Sequence, residues 1–304
     1  MKQFEPEKHL IFEGITGSNL YGTATPESDM DYRGVCLPDL DTLLNPFTPF
    51  EQKDSGFEEE DRAIYALSKF LKLCSDSNPN IVELLFVPED KTLVKTKEWN
   101  RILENKHLFL SKKAKYTFTG YAFSQLNAIK RHRQWFIDPP KDKPKRSDFG
   151  LTDSPLVSGE NLDNALNIPH DLFKDEFHDE LLRERNYRLA KKQWDNYVAW
   201  RDNRNPKRKG YEEKFGYDLK YASHLIRLMD EGKELLLTGN LEFPLKNSKE
   251  LLEIKNGKYS FEDFCALAED MEKQFESWYE QSPLPKAPDR NALTELYLDI
   301  ILNK

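Results

Sequence analysis

Gly17-Ser18-Asn19-Leu20-Tyr21-Gly22-Thr23-Ala24-Thr25-Pro26-Glu27-Ser28-Asp29-Met30-Asp31-Tyr32-Arg33-Gly34-Val35 is the stretch on which the reading of the chain turns. A Gly-Ser turn follows the apolar run at residues 10–15, which suits a strand, and precedes a short helical segment through Asn19 and Tyr21. Backbone N–H groups and a hydroxyl in such a turn are placed where a phosphate can dock. Further on, Asp29 and Asp31 stand at i and i+2 of a predicted strand start, residues 30–37 closed by Pro38. The pleat puts both side chains on one face, with Cα atoms about 6.6 Å apart at roughly 3.3 Å per residue. Two carboxylates on one face repel unless a cation sits between them. A divalent ion with oxygen ligands answers this, and a pair of such ions suits an in-line phosphoryl displacement. A lone Asp-x-Asp is usually a polar turn; joined to a Gly-Ser turn ten residues upstream it favours the ligand reading.

Outward from this stretch, the first third alternates strand and helix. Residues 61–66 read as a third strand or as the start of a helix. From Leu67 the period changes: Leu67, Phe70, Leu71 and Cys74 fall at i, i+3, i+4 and i+7, one stripe of an amphipathic helix, which stops before Pro79. Residues 81–86 are a short apolar segment. Helical patterns then dominate over 97–105, 111–136, 174–201, 216–231, 260–278 and 290–302. A polar stretch, 138–169, divides them and is expected to be a functional loop, an insertion or partly mobile. The expected division is an α/β unit over 1–110 and a helical unit over 111–304. No internal repeat is present.

At this point the residues resemble a known family. Gly-Ser, a spacer and Asp-x-Asp on the next strand look like the DNA polymerase beta-type nucleotidyltransferase superfamily. The fuller strings GSNLYG and SDMDYRGV resemble one branch of it, the predicted nucleotidyltransferases named for an RNA repair pathway in bacteria and phages. Asp61-x-x-x-Tyr65-x-Leu67-x-Lys69-Phe70, Asn78-Pro79-Asn80-x-x-Glu83-Leu84-Leu85, Gly120-Tyr121-Ala122-x-Ser124-Gln125 and Lys220-x-x-x-His224-Leu225-Ile226-Arg227-Leu228 extend the likeness along nearly the whole chain. It is weakest over 138–169. The resemblance implies an α+β fold, a mixed sheet flanked by helices with a mostly helical C-terminal region, and a two-metal nucleotidyl transfer site using Mg2+ or Mn2+. Gly17 and Ser18 match the positions that hold terminal phosphates, and Asp29 and Asp31 the first two metal-binding carboxylates. Asp61 is the best match for the third acid, with Glu58, Glu59 and Glu60 as neighbouring alternatives and a solvated acidic run as the competing reading.

Lys220, His224 and Arg227 are spaced i, i+4 and i+7, hence on one helix face. They are expected to bind the nucleotide, Arg227 as a fork of donors and Lys220 as a point charge; the competing reading is a solvated face with Asp218 and Asp230 as partners. Two further basic stretches, Lys130 to Arg146 with Trp135 and Phe136 interleaved, and Arg183 to Lys209, suit an RNA or tRNA acceptor but also ordinary solvated helix faces.

Composition narrows the classes. The chain has 304 residues, a formal net charge of −8, and 38% hydrophobic and 12% aromatic residues, which excludes a disordered polymer and argues against broad nonspecific DNA binding. It holds 3 cysteines, far apart, and no His pair at zinc-ligand spacing, so neither a disulfide framework nor a zinc site is indicated. No stretch approaches the ~18 apolar residues of a membrane span, and the start lacks a signal-peptide core; a cytoplasmic protein is expected. The leading expectation is an enzyme moving a nucleoside monophosphate from a nucleoside triphosphate, ATP first, to an acceptor, an RNA or tRNA end favoured, with release of pyrophosphate. The alternatives are a noncatalytic nucleotide- or RNA-binding regulator of antitoxin type, and a transferase acting on a protein hydroxyl or a small molecule.

Overall fold

The computed structural model describes residues 4–55, 61–155, 157–169, 172, 175–204 and 206–303. The first third folds as a five-stranded mixed sheet: β1 (Leu10–Thr16), β2 (Asp31–Cys36), β3 (Gln52–Asp54), β4 (Asp61–Ala66) and β5 (Thr92–Lys95), in spatial order β3-β4-β2-β1-β5. β1 is antiparallel to β2 and β5, β3 is antiparallel to β4, and β2 and β4 run parallel. Residues 61–66 are thus a strand, and the helix begins only at Leu67. The segment 81–86 is helical turn, in the pieces Pro79–Val82 and Glu83–Phe86.

Burial explains the sheet. Val35, Cys36, Ile64 and Leu67 are fully enclosed, and Phe12 stacks on Trp99 with ring centroids 4.3 Å apart. The helices that matter here are α1 (Gly17–Tyr21), α2 (Leu67–Ser75), α3 (Lys97–Glu104), α4 (Ala114–Ile137), α5 (Asp175–Asp202), α6 (Pro206–Phe215), α7 (Leu219–Thr238), α8 (Ser248–Lys255), α9 (Phe261–Gln281) and α10 (Arg290–Leu302). The stripe Leu67, Phe70, Leu71 and Cys74 buries α2 as its period requires, Phe70 meeting Trp99 at 5.2 Å. α7 is enclosed along most of its length; a Cβ on Gly232 would stand 2.9 Å from Phe118 of α4 and 3.1 Å from Phe275 of α9. No described helix is long and apolar enough to cross a membrane.

The chain divides into two compact units, residues 1–129 with 219–304, and residues 130–218. The first holds the whole sheet together with α7 to α10. The second has an aromatic nucleus in which Trp135, Tyr197 and Trp200 pack on one another and on His132, with Trp135 and Trp200 centroids 5.4 Å apart. Several charges of the two basic stretches are used up inside this unit. The buried Glu184 takes Arg146 and Arg188, the latter at 2.7 Å, and Arg204 pairs with the buried Glu212 while lying over the Trp200 ring. Such paired cations serve packing before they serve any nucleic acid. Within 138–169 the chain forms short helical turns at Arg146–Phe149, Gly159–Asn161 and Leu162–Leu166, with Leu151 and Leu162 buried.

Candidate active site

The turn after β1 is built around Gly17. Its φ is +62°, a left-handed conformation that glycine adopts without a Cβ penalty. The second constraint is steric: a Cβ at this position would lie 1.8 Å from Oδ2 of Asp31 and 2.7 Å from its Cγ. The Asp31 carboxylate therefore rests directly on the Gly17 backbone, so that the Gly-Ser turn and the Asp-x-Asp segment meet at one point. We expect Gly17→Ala to cost about 1–3 kcal/mol, from the positive φ and the displaced carboxylate together, read as a lower midpoint in urea. The first turn of α1 has no side-chain cap, and Ser18 lies half-exposed beside it.

Strand register brings the acids together. Asp31 opposes Thr16 on β1 and Asp61 on β4, and the Thr16 hydroxyl donates to the Asp31 carbonyl at 3.3 Å. Burial first, then the neighbouring Asp61 carboxylate, raises the Asp31 pKa above the usual carboxylate range, against the lowering influence of Arg33 and Lys220. Asp61 is half-exposed and held by Arg33, whose Nη1 donates to Asp61 Oδ1 and to its carbonyl, each at 3.0 Å. Arg33 was legible in principle: two residues beyond Asp31 on one strand, it must share its face.

Asp29 stands elsewhere than the sequence suggests. β2 begins at Asp31, so the two-residue alternation that would align both aspartates does not extend back to Asp29. Asp29 is exposed in the segment before the strand, where its carbonyl accepts from Asn19 Nδ2 at 3.2 Å. The close partner of Asp31 is Asp61 instead. Among the described residues no three His, Cys, Asp or Glu side chains gather as a metal-holding group. Glu58, Glu59 and Glu60, the alternatives to Asp61, lie outside the described residues.

On α7 the three basic positions descend from solvent into the core. Lys220 is exposed, His224 half-buried, and Arg227 only 3% exposed. Arg227 is not available as a phosphate fork, because its guanidinium is engaged by two buried carboxylates. Nη1 donates to Glu83 and to both oxygens of Glu231, at 2.9 and 2.8 Å, and the guanidinium lies 4.3 Å from the Tyr21 ring centroid. Tyr21 in turn donates its hydroxyl to Glu83 at 2.8 Å. The network thereby ties the last residue of α1 to α7. Residues i and i+7 do share a helix face, yet that face passes from solvent to interior over about 10 Å of helix at 1.5 Å per residue.

Arg227 also fixes His224. Its Nη2 lies 3.0 Å from His224 Nδ1, and a guanidinium can only donate. Nδ1 therefore accepts and Nε2 carries the proton. Burial first, then the charges of Arg227, Lys220 and Lys255, presses the His224 pKa down to about 3, so the ring is neutral throughout the physiological range. Lys255, at the end of α8, is the site residue that sequence reading missed: an isolated lysine closing an eight-residue helix carries no signal by itself. Its Nζ lies 3.2 Å from Thr23 Oγ1, just beyond α1.

With this geometry in place, comparison with known proteins is specific. Residues 1–136 match the family model described as the RNA repair pathway DNA polymerase beta family, the branch that the motifs resemble. The chain is 25% identical over 302 residues to an uncharacterized 38.9 kDa protein of the nrdC-mobD intergenic region of Enterobacteria phage T4, covering 88% of each. No solved structure matches.

Proposed function

We propose that this chain, whose first 136 residues match a DNA polymerase beta-like family, transfers a nucleoside monophosphate from a nucleoside triphosphate to an acceptor hydroxyl, releasing pyrophosphate. The observation that carries this reading is the pairing of Asp31 with Asp61 across parallel strands, with Asp31 seated on the Gly17 turn. Two hard oxygen ligands side by side, with Asp31 raised in pKa first by burial and then by the Asp61 charge, have the chemistry of a divalent-cation site, since a cation relieves both costs. Asp31 and Asp61 are the residues that would hold Mg2+ or Mn2+, which would supply polarisation of the reacting phosphate and a lowered pKa for the attacking hydroxyl. Arg33 orients Asp61, Gly17 and Ser18 offer the turn for the phosphates, and Lys220 and His224 would donate hydrogen bonds to them. Arg227 acts through His224 and Tyr21. ATP is the first candidate donor, and an RNA end the favoured acceptor, in keeping with the description of the family.

The test is incubation with each labelled nucleoside triphosphate, magnesium and total RNA or total protein. Label from one nucleotide is expected in the RNA pool, with stoichiometric pyrophosphate. Label in protein would move the acceptor to a side-chain hydroxyl. Tight nucleotide binding with no pyrophosphate from any of the four would overturn the enzymatic reading in favour of a nucleotide-binding regulator.

A further inference from the structure

Leu71 of α2 and Leu293 of α10, both buried, form the base of a cavity of about 190 Å³ between the two helices. Its walls carry Lys72 and Arg290 together with four hydroxyls, and no carboxylate lines it among the described residues. In a chain whose formal net charge is −8, two cations around one cavity without an acid run against the average. Nor are they fully neutralised from outside. Asp76, just past α2, accepts from Arg290 Nη2 at 3.0 Å, but the same oxygen also accepts from Lys113 Nζ at 2.9 Å. One carboxylate thus serves two cations, and a guanidinium with five N–H donors keeps several for another partner. No carboxylate among the described residues pairs with Lys72. Two of the hydroxyls spend their protons within their own helices: Ser75 Oγ donates to the Lys72 carbonyl at 2.9 Å, and Thr294 Oγ1 to the Arg290 carbonyl at 2.8 Å. The cavity therefore offers Lys72, Arg290 and the hydroxyls of Ser68 and Tyr297 as its donors. α10 is fixed near both ends, since the Asp289 N–H donates to the Leu108 carbonyl at 3.3 Å and Asp299 pairs with Arg101.

Charge and size decide what fits. A phosphate monoester carries about −1.5 to −2 charges at pH 7 and so matches two cations, whereas a single carboxylate would leave one of them uncompensated. An arginine fork takes two phosphate oxygens and a lysine adds a point charge. Drug-sized ligands fill roughly 300–1,000 Å³, so a cavity of about 190 Å³ suits a smaller molecule than a nucleoside triphosphate. The Tyr297 ring and the two leucines offer apolar contact to a short organic group. We propose that the cavity between α2 and α10 binds the phosphate monoester of a small molecule, of sugar-phosphate size, held by Lys72 and Arg290. Its lining shares no residue with the candidate active site, and the proposal does not rest on the transferase reading.

Isothermal titration of the full chain with ribose 5-phosphate, at low salt and without divalent ions, tests the proposal. Binding is expected for the wild type, weakened roughly tenfold or more in Lys72→Met and restored to within about threefold in Lys72→Arg, as loss of a charge-assisted contact predicts. Arg290→Met should show the same loss independently, and ribose should give no heat. Lys72 is exposed, so Lys72→Met should keep the wild-type melting temperature, which separates a lost contact from a lost fold. Lys220→Met, altered in the candidate active site, should bind ribose 5-phosphate as the wild type does. Inorganic phosphate should compete and bind more weakly; binding as tight as that of the ester would overturn the ester in favour of free phosphate. Failure of the wild type to bind, equal binding by Lys72→Met, or an equal loss in Lys220→Met overturns the site. None of these results bears on nucleotidyl transfer, so the two readings stand or fall separately.

Discussion

Asp31→Asn is expected to reduce nucleotidyl transfer by about 10²–10³-fold or more while leaving the fold at least as heat-stable as the wild type. The two effects have one origin. Asp31 is seated against Gly17 and beside Asp61, so its negative charge is costly in the folded state and valuable only when a cation arrives. A carboxyl whose native pKa lies above its unfolded value of about 3.9 binds its proton more tightly when folded. Stability from this group is present at low pH and is lost as pH rises from the unfolded pKa through the raised native one. Asparagine keeps the shape against Gly17 and removes the charge. The gain in melting temperature should therefore appear at pH 7 without added metal and shrink toward pH 4. Calorimetry at the two pH values, with the label-transfer assay, checks both parts. Full activity in Asp31→Asn would retire Asp31 from the chemistry, and a lower melting temperature at pH 7 would make it a structural anchor.

Arg227→Met should act in the opposite way, on stability first. The substitution leaves Glu83 and Glu231, each about 1% exposed, without their cation, and removes the platform over the Tyr21 ring. Breaking a buried pair by deleting one partner costs about 3–5 kcal/mol. For a chain of this size that corresponds to a fall in melting temperature on the order of 10 °C. Lys220→Met, on the exposed end of the same helix, should leave the melting temperature nearly unchanged and raise KM for the nucleotide. An Arg227 that contacted phosphate from solvent would show the reverse pattern, a KM effect with stability intact. Scanning calorimetry of the two variants side by side distinguishes them.

The parts of the molecule that were legible in sequence are those in which a local rule and a tertiary contact agree. Glycine at the end of an apolar run declares the turn after β1, and the run closed by Pro38 declares β2, because few other sequences suit those conformations. The amphipathic stripe from Leu67 to Cys74 declares α2 for the same reason. Pairing of Asp31 with Asp61 was less visible, since it depends on parallel register between strands separated by 24 residues of intervening chain. β3 escaped notice because Gln52, Lys53 and Asp54 are all exposed and show no apolar alternation, and β5 because four residues are too few to establish a period. Periodicity misled at Arg227. It reports which residues share a face, but whether that face meets water or Glu83 is decided by a segment almost 150 positions away. Lys255 had no local signature at all; its meaning arises only when Thr23 and α7 are brought to it.

The bonds among Tyr21, Glu83 and Arg227 also bear on how the family-matched segment, residues 1–136, can be handled in isolation. A fragment ending near residue 136 would retain Asp29, Asp31 and Asp61 and look sufficient by motif. It would nonetheless carry a carboxylate designed for the interior with its counterion amputated. The C-terminal helices are in this sense the second half of the candidate site, and recombinant dissection should keep residues 219–304 on the same polypeptide or supply them in trans.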